Sequence, residues 1–207
     1  MYETEEQEVE ALKKWWAENG TSIIAGVVLG LLLIFGWRWW GEHRQQVAAE
    51  ASNAFDQMIS STEAGRLDEA STQAGLIRQQ FGSTPYAAFA DLMLARIRLQ
   101  QGDVPGAKSA LDQASKSAPD PALRAVAVLR LARILLSTGD PDGAAKLLNE
   151  HPGPAAFAGE YALARGDIAQ AKGDANGARS AFQEALQHKV ANPDLVQLKL
   201  DNLPPGT

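Results

Sequence analysis

The chain has 207 residues, enough for one ordinary globular core with a small additional segment, and this length excludes a multidomain assembly. Hydrophobic residues make up 45% of the sequence and aromatic residues 7%, which excludes a largely disordered chain. The formal net charge of −6 predicts no nucleic-acid partner, because a phosphate-binding surface is basic. Without cysteine, the chain can form neither a disulfide nor a thiolate metal site.

Residues 1–19 form a short acidic tail before the first apolar segment. The first 20 residues hold six glutamates against two lysines, Lys13 and Lys14. A tail of this composition lacks the basic start of a secretory signal peptide. Its composition does not decide whether it is a regulatory handle or only a soluble leader.

Residues 20–40 are predicted to form a single transmembrane helix. Within them, residues 21–37 carry no charge, and a helix over all 21 residues is about 32 Å long, which matches a hydrocarbon layer of about 30 Å. Indole rings favour the headgroup layer on either side of a membrane. All five tryptophans of the chain lie near the two ends of this segment: Trp15, Trp16, Trp37, Trp39 and Trp40.

Three further residues of this segment bear on what the helix contacts. Arg38 lies among the last tryptophans and can extend its guanidinium to the interface along its alkyl stem. Gly26 and Gly30 form a GxxxG pattern, which permits close contact with a second membrane helix but is also common in spanning helices generally. Membrane lipid is therefore a predicted partner, and a helix partner or a self-dimer stays open.

The alternative to a permanent anchor is a cleaved signal peptide, which has a small-residue cleavage site close behind its apolar stretch. The nearest small-x-small pattern is Ala49-Glu50-Ala51, well beyond the apolar segment, so the sequence favours an uncleaved anchor. Two basic residues lie near each end of the segment, Lys13 and Lys14 before it and Arg38 and Arg44 after it. Charge counts therefore do not decide the orientation of the helix.

Residues 41–207 are predicted to be all-α, beginning with an amphipathic helix over Glu42–Ile59. A pattern that begins Gly-Asp recurs at spacings of 37 and 34 residues, and a fainter copy lies 37 residues before the first. Periods of this length are typical of helical-hairpin arrays. Each glycine can end one helix, and the aspartate after it can cap the next. The turn glycines are Gly102, Gly139 and Gly173, with Gly65 in the fainter copy.

The repeat resembles the tetratricopeptide family. Counting from the turn glycine, that family has small residues five and twelve places on, a bulky apolar residue nine places on, and a small residue seven places before. Small side chains at these positions let paired helices approach closely. The residues here are Ala107, Leu111 and Ala114 in the best copy, Ala144 and Leu148 in the next, Ala178, Phe182 and Ala185 in the last, and Ala95, Ala132 and Gly166 before the three turns. The resemblance implies a tetratricopeptide-like helical-hairpin solenoid.

One copy departs from the pattern. His151 replaces the second small residue after Leu148, and two prolines, Pro152 and Pro154, must end the helix there. The break is either a functional kink or a shortened helix. The degenerate repeats also leave the groove-lining residues unassigned.

No motif of an enzyme is found. The three histidines, His43, His151 and His188, have no spacing typical of a metal pair, and no Walker, GxSxG or HExxH pattern occurs. The aspartate beside each turn glycine recurs at the same position, as expected of a helix cap rather than of a catalytic carboxylate. The sequence predicts a non-catalytic protein without cofactor, metal or small-molecule substrate.

The whole chain is similar to the ancillary SecYEG translocon subunit family of Gram-negative bacteria. The resemblance rests on residues 9–20 before the apolar helix, residues 36–40 after it, the degenerate repeats, and the closing segment 197–203. It implies an inner-membrane protein with a cytoplasmic N-terminus and a periplasmic tetratricopeptide-like domain. The implied segments are a tail over 1–19, a transmembrane helix over 20–40 and the domain over 41–207.

The resemblance also implies the partners. They are the SecYEG translocon and a periplasmic chaperone, membrane-anchored and prolyl-isomerase-like. The expected function is that of a non-catalytic adaptor that links protein export to periplasmic chaperones. The alternative is a membrane-anchored periplasmic scaffold for another envelope-assembly complex, with the same fold and topology.

Overall fold

The computed structural model describes residues 2–188 and 190–204, and the side chains of all of these except residues 2–8, 11, 12, 22 and 23. The predicted acidic tail includes four glutamates whose side chains are not described. The predicted domain extends to residues 205–207, which also lie outside the described residues. The described residues contain helices and no strand, which confirms the all-α prediction. The helices are α1 (Tyr2–Glu63), α2 (Leu67–Phe81), α3 (Pro85–Gln100), α4 (Val104–Ser117), α5 (Pro121–Ser137), α6 (Pro141–Glu150), α7 (Ala158–Ala171), α8 (Ala175–Gln187) and α9 (Pro193–Asp201), with a 3-10 turn over Ala155–Phe157.

The chain divides into two compact units, Met1–Val47 and Ala48–Thr207. The first unit is the N-terminal part of α1, which continues without a break past the predicted helix start at Glu42. From Ile24 onward this helix contains an 18-residue window with a mean hydropathy of 1.6, none of which is buried in protein. An apolar helix whose side chains stay exposed needs lipid around it, unlike a core helix of a soluble protein. This finding supports a membrane anchor.

The second unit, called the solenoid below, is a row of helical hairpins. Its buried residues form four successive hydrophobic clusters, each shared by consecutive helices: α1 to α3, α3 to α5, α5 to α7, and α7 to α9. In the last cluster, Val196 of α9 and Leu203 close the end of the row. Each cluster therefore joins neighbouring hairpins, as in a repeat array.

Four turns of the solenoid share one backbone conformation. Gly65, Gly102, Gly139 and Gly173 have φ between 73° and 78°, in the left-handed region that side chains disfavour. Asp caps follow three of these turns, and each accepts a hydrogen bond at Oδ1 from a backbone N–H of the next helix. The pairs are Asp103 with Gly106 at 2.9 Å, Asp140 with Gly143 at 2.8 Å and Asp174 with Gly177 at 2.8 Å.

Adding a Cβ at one of these turn glycines is expected to lower the stability of the protein. Gly139→Ala is expected to lower the free energy of unfolding by about 1 kcal/mol, because alanine is strained at a positive φ. Gly75→Ala is the matched control, since Gly75 lies inside α2 and an added Cβ would meet no atom within 4 Å. That control is expected to stabilise by about 0.5–1 kcal/mol. Thermal unfolding of the full chain in mild detergent, followed by circular dichroism, would contradict the prediction if both variants melted alike.

The fainter first turn uses a different pair of side chains. Arg66 stands where the other turns have aspartate, and Glu69 stands where they have glycine; Arg66 Nε donates to Glu69 Oε2 at 2.7 Å. Glu69 also accepts a hydrogen bond from Ser61 Oγ at 3.0 Å. Hydrogen bonds from Arg66 and then from Ser61 lower the pKa of Glu69. An ion pair thus replaces the helix cap at this turn.

The break after Leu148 is a shortened helix. α6 has 10 residues, against 14 in α4 and 13 in α8. The chain after it packs so closely on the ring of Tyr161 that a Cβ added at Gly153 would overlap the ring. Tyr161 is buried, which raises the pKa of its phenol. The Tyr161 ring thus packs against the loop that follows α6, where the longer helices α4 and α8 have a further turn.

Each hairpin pairs one small residue with one bulky residue at equivalent positions. The larger residue of the pair stands on the second helix in some hairpins and on the first helix in another. The combined volume of each pair is similar, as close packing requires. A Cβ added at Gly166 would overlap the Phe182 ring, so the larger ring requires the smaller partner. In the first hairpin the order is reversed, because methionine stands at the small position. The pairs are Met58 with Ala74, Ala95 with Leu111, Ala132 with Leu148, and Gly166 with Phe182.

Candidate partner-binding groove

The first helices of successive hairpins line a groove in the solenoid. A cavity of about 620 Å³ lies among the C-terminal part of α1, α3 and α5, and a second of about 510 Å³ lies between α3 and α5. The two cavities share Leu92, Arg96 and Arg130. A smaller cleft between α5 and α7 shares Arg133 with the second cavity and is also lined by two acidic residues, Glu160 and Asp167. The two larger cavities are called the groove below.

Apolar and aromatic side chains form much of the groove. Phe55 of α1 and Tyr86 and Phe89 of α3 form an aromatic cluster, in which each pair of ring centroids is 6.0 Å apart. Phe89 is 37% exposed and Leu99 is 44% exposed, so large apolar surfaces face solvent here. Pockets that bind partners commonly combine such aromatic anchors with a few polar groups.

Arginines supply most of the charge of the groove. Arg96, Arg130 and Arg133 are exposed, and no ion pair or hydrogen bond joins them to the described part of the chain. α5 contributes its arginines without any aspartate or glutamate in its sequence. Asp56 of α1 is the acidic residue that lines the larger cavity. The groove is therefore a cationic and apolar surface in a chain of net charge −6.

A buried carboxylate lies on α3, the helix that carries Tyr86 and Phe89. Asp91 of α3 is fully buried, and its Oδ1 accepts a hydrogen bond from Arg78 Nη1 of α2 at 3.2 Å. Its Oδ2 has no partner among the described atoms. Burial raises the pKa of Asp91 to about 6, although the Arg78 guanidinium acts in the opposite direction.

The residues predicted for repeat packing lie in the interior of the solenoid. Those at the packing positions are buried in the solenoid, where they hold the helices that present the groove: Ala95, Ala107, Leu111, Ala114, Ala132, Ala144, Leu148, Gly166, Ala178, Phe182 and Ala185. The predicted turn residues Gly102, Gly139 and Gly173 lie in the turns described above. Repeat positions thus shape the scaffold, and two of them, Ala95 and Leu111, also line the groove.

The residues predicted for the anchor lie on the exposed surface of α1. Trp15, Trp16, Trp37, Trp39 and Trp40 are all about half exposed or more. Around the later tryptophans, Trp37 and Trp40 make an edge contact at 5.8 Å, the Arg44 guanidinium lies 5.0 Å from the centre of the Trp40 ring, and Arg38 pairs with Glu42 at 3.8 Å. A Cβ added at Gly26 or Gly30 would meet no atom within 4 Å, so this face is open to a neighbouring helix.

The histidines are scattered along the chain. His43 lies in α1, His151 follows α6 and His188 follows α8. Within the described residues, no group of three or more histidine, aspartate and glutamate side chains is placed to hold a metal ion. The arginines of the groove offer hydrogen-bond donors for an anionic partner.

The groove-lining residues were not predicted from the sequence. One signal was present: Arg130 and Arg133 are three residues apart, which places both on one face of a helix that has no acidic residue. The repeat positions did not indicate that α3 would present Arg96 to the same groove.

Comparisons with known proteins match the whole architecture. Residues 13–205 match the family described as a tetratricopeptide repeat-like domain. An ancillary SecYEG translocon subunit of Haemophilus influenzae is 35% identical over 202 residues, covering 96% of this chain and 97% of the relative. The ancillary SecYEG translocon subunit of Escherichia coli K12 is 33% identical over 205 residues, covering 98% of each chain. This chain, with its apolar N-terminal helix and its tetratricopeptide-like solenoid, belongs to the ancillary SecYEG translocon subunit family.

Proposed function

We propose that this protein is a non-catalytic, membrane-anchored adaptor of the SecYEG translocon. The observation that carries the proposal is the extent of the similarity, which covers both the apolar helix and the solenoid of proteins named ancillary SecYEG translocon subunits. An adaptor needs an anchor that places it beside the channel and a surface that binds a second protein. The apolar part of α1 suits the first role, and the groove suits the second.

The proposed topology has the tail, residues 1–19, in the cytoplasm, the membrane span over 20–40 and the remaining residues in the periplasm. The division of the chain after Val47 supports a solenoid that begins shortly beyond the span. In this arrangement the groove meets chains that leave the channel and the chaperones that receive them. Anchoring raises the effective concentration of the groove near other proteins held at the same membrane.

The proposed second partner is a periplasmic chaperone, membrane-anchored and prolyl-isomerase-like. Two exposed features of the chain support simultaneous binding of two partners: the open glycine face of α1 and the groove of the solenoid. They lie in different compact units of the chain. The adaptor would thereby hold the chaperone beside the translocon.

Site-specific photo-crosslinking in cells tests the proposal. A crosslinking side chain at Leu33, one helical turn from Gly30 and exposed on α1, is expected to capture a translocon subunit. One at Leu99 in the groove is expected to capture a periplasmic chaperone or an exported chain. Lys146 of α6 is an exposed control outside the groove and is expected to capture neither.

The outcomes separate the two candidate functions. Translocon capture at Leu33 together with chaperone capture at Leu99 supports the adaptor. Capture of cell-wall or outer-membrane assembly proteins at both sites would favour the scaffold alternative. Repeated failure to capture any translocon subunit from Leu33, with the protein present at its normal level, would contradict the adaptor function.

A further inference from the structure

The arginines of the solenoid fall into two groups. Those outside the groove have a partner within the described chain, either a carboxylate or a backbone carbonyl: Arg66, Arg78, Arg98, Arg124, Arg165 and Arg179. Arg96, Arg130 and Arg133 have none among the described residues, and all three line the groove. Internal pairing is thus the rule for arginine in this solenoid, and the exceptions are confined to one surface.

The unpaired arginines are the donors that a carboxylate prefers. A guanidinium presents several N–H groups in a planar fork that matches the two oxygens of a carboxylate. The groove contributes one acidic side chain of its own, Asp56, at the end formed by α1. A partner that carries acidic residues would therefore meet cations without displacing internal ion pairs.

The surfaces between the arginines are apolar. Leu92, Leu99 and Ile134 line the cavity between α3 and α5 together with Arg96 and Arg130. The aromatic cluster extends the apolar surface toward α1. A highly charged polymer would leave this surface unused, whereas a peptide that mixes acidic and apolar side chains would use both parts.

We propose that the groove binds an acidic, leucine-rich segment of a partner protein, with carboxylates held by Arg96, Arg130 and Arg133 and apolar side chains held by Leu99 and the aromatic cluster. The inference rests on the proposed function, because it names the chemistry of the segment that the adaptor groove recognises. The occupant is a peptide segment of another protein, and the complementary charge selects it.

Binding of defined peptides to the full-length protein in lipid nanodiscs tests this. The probe is a short fluorescein-labelled peptide of leucine, glutamate and alanine, and two matched peptides carry glutamine or lysine in place of every glutamate. Fluorescence anisotropy is expected to show binding of the glutamate peptide only. Raising the salt concentration is expected to weaken this binding, because the contacts are ionic and near the surface.

Variants of the arginines test whether the groove is the binding site. Single substitutions Arg96→Gln, Arg130→Gln and Arg133→Gln are each expected to weaken binding about fivefold, and the triple variant about 100-fold. Arg124→Gln is the matched control, because it makes the same charge change on α5 but lines a different cavity. It is expected to change the affinity less than about twofold. Circular dichroism checks that each variant keeps its fold.

Three outcomes would overturn the inference. The first is equal binding of the glutamine peptide, and the second is unchanged binding by the triple variant. The third is displacement of the peptide by an excess of unlabelled triple variant, which would show that a second copy of the chain occupies the groove. Translocon capture from Leu33 does not involve the groove arginines, so intact capture without peptide binding would refute the groove inference alone. Peptide binding without translocon capture would refute the proposed function alone.

Discussion

Replacing Gly166 with alanine is expected to destabilise the solenoid by about 2 kcal/mol, and replacing Phe182 with leucine in the same chain is expected to recover most of that loss. The reason is the position of the Phe182 ring, which is fully buried and overlaps the place of a Cβ at Gly166. Alanine gains about 1 kcal/mol of helix propensity over glycine, but overpacking a rigid ring costs more than this.

The two middle hairpins show why the double variant should be tolerated. Their equivalent positions are occupied by alanine and leucine, in the pairs Ala95 with Leu111 and Ala132 with Leu148, which are buried in the same way. Phe182→Leu alone leaves a small cavity beside Gly166 and is expected to cost about 1 kcal/mol. The double variant fills that cavity with the new methyl group.

A double-mutant cycle measures this coupling. Thermal and urea unfolding of the full chain in mild detergent are expected to place the double variant within about 0.5 kcal/mol of the starting protein. Gly75→Ala provides the matched control, since the same substitution meets no neighbouring atom there and is expected to stabilise slightly. Additive losses in the double variant would show that the pair does not pack as described.

Asp91→Asn is expected to stabilise the protein by about 2 kcal/mol at pH 7.5 and to have little effect near pH 4. The pKa of Asp91 is about 6 in the folded chain against an ordinary value of 3.8, so the folded state binds this proton more tightly than the unfolded state. The stability that the protonated carboxyl contributes is complete below pH 3.8 and is lost as the pH rises through about 6.

The shift of the Asp91 pKa sets an upper limit on the effect. It corresponds to about 3 kcal/mol at neutral pH, from which the burial of an amide with unpaired donors subtracts about 1 kcal/mol. Asparagine keeps an oxygen for the hydrogen bond from Arg78, whose own side chain is partly exposed and remains hydrated.

Unfolding curves at several pH values check this prediction. The difference in stability between Asp91→Asn and the starting protein is expected to grow between pH 4 and pH 7. Glu63→Gln, at the exposed end of α1, serves as the control and is expected to change stability by less than about 0.5 kcal/mol throughout. A destabilised Asp91→Asn variant at pH 7.5 would mean that the ion pair with Arg78 outweighs the cost of burying the charge.

The repeat pattern predicted the helical class of the solenoid because its signals are local. Gly102 and Asp103 are adjacent in sequence, and the turn they form depends on a few residues on either side. The first hairpin was harder to recognise, since Arg66 and Glu69 replace the cap and Met58 and Ala74 reverse the usual order of sizes. Arg66 and Glu69 thus take the place of the helix cap, and Met58 and Ala74 take the place of the small and bulky packing residues.

The amino-acid sequence by itself determined the apolar helix, the all-α class and the family. These follow from the length of the uncharged segment, from the turn glycines and from the spacing of the repeats, which can all be read from residues close together in the chain. Only the tertiary structure brought Arg96 of α3 and Arg130 of α5 to one groove, and only it showed that Gly166 is required by Phe182. Those relations join residues from separate helices, and the rotation of each helix in the row depends on how its neighbours pack.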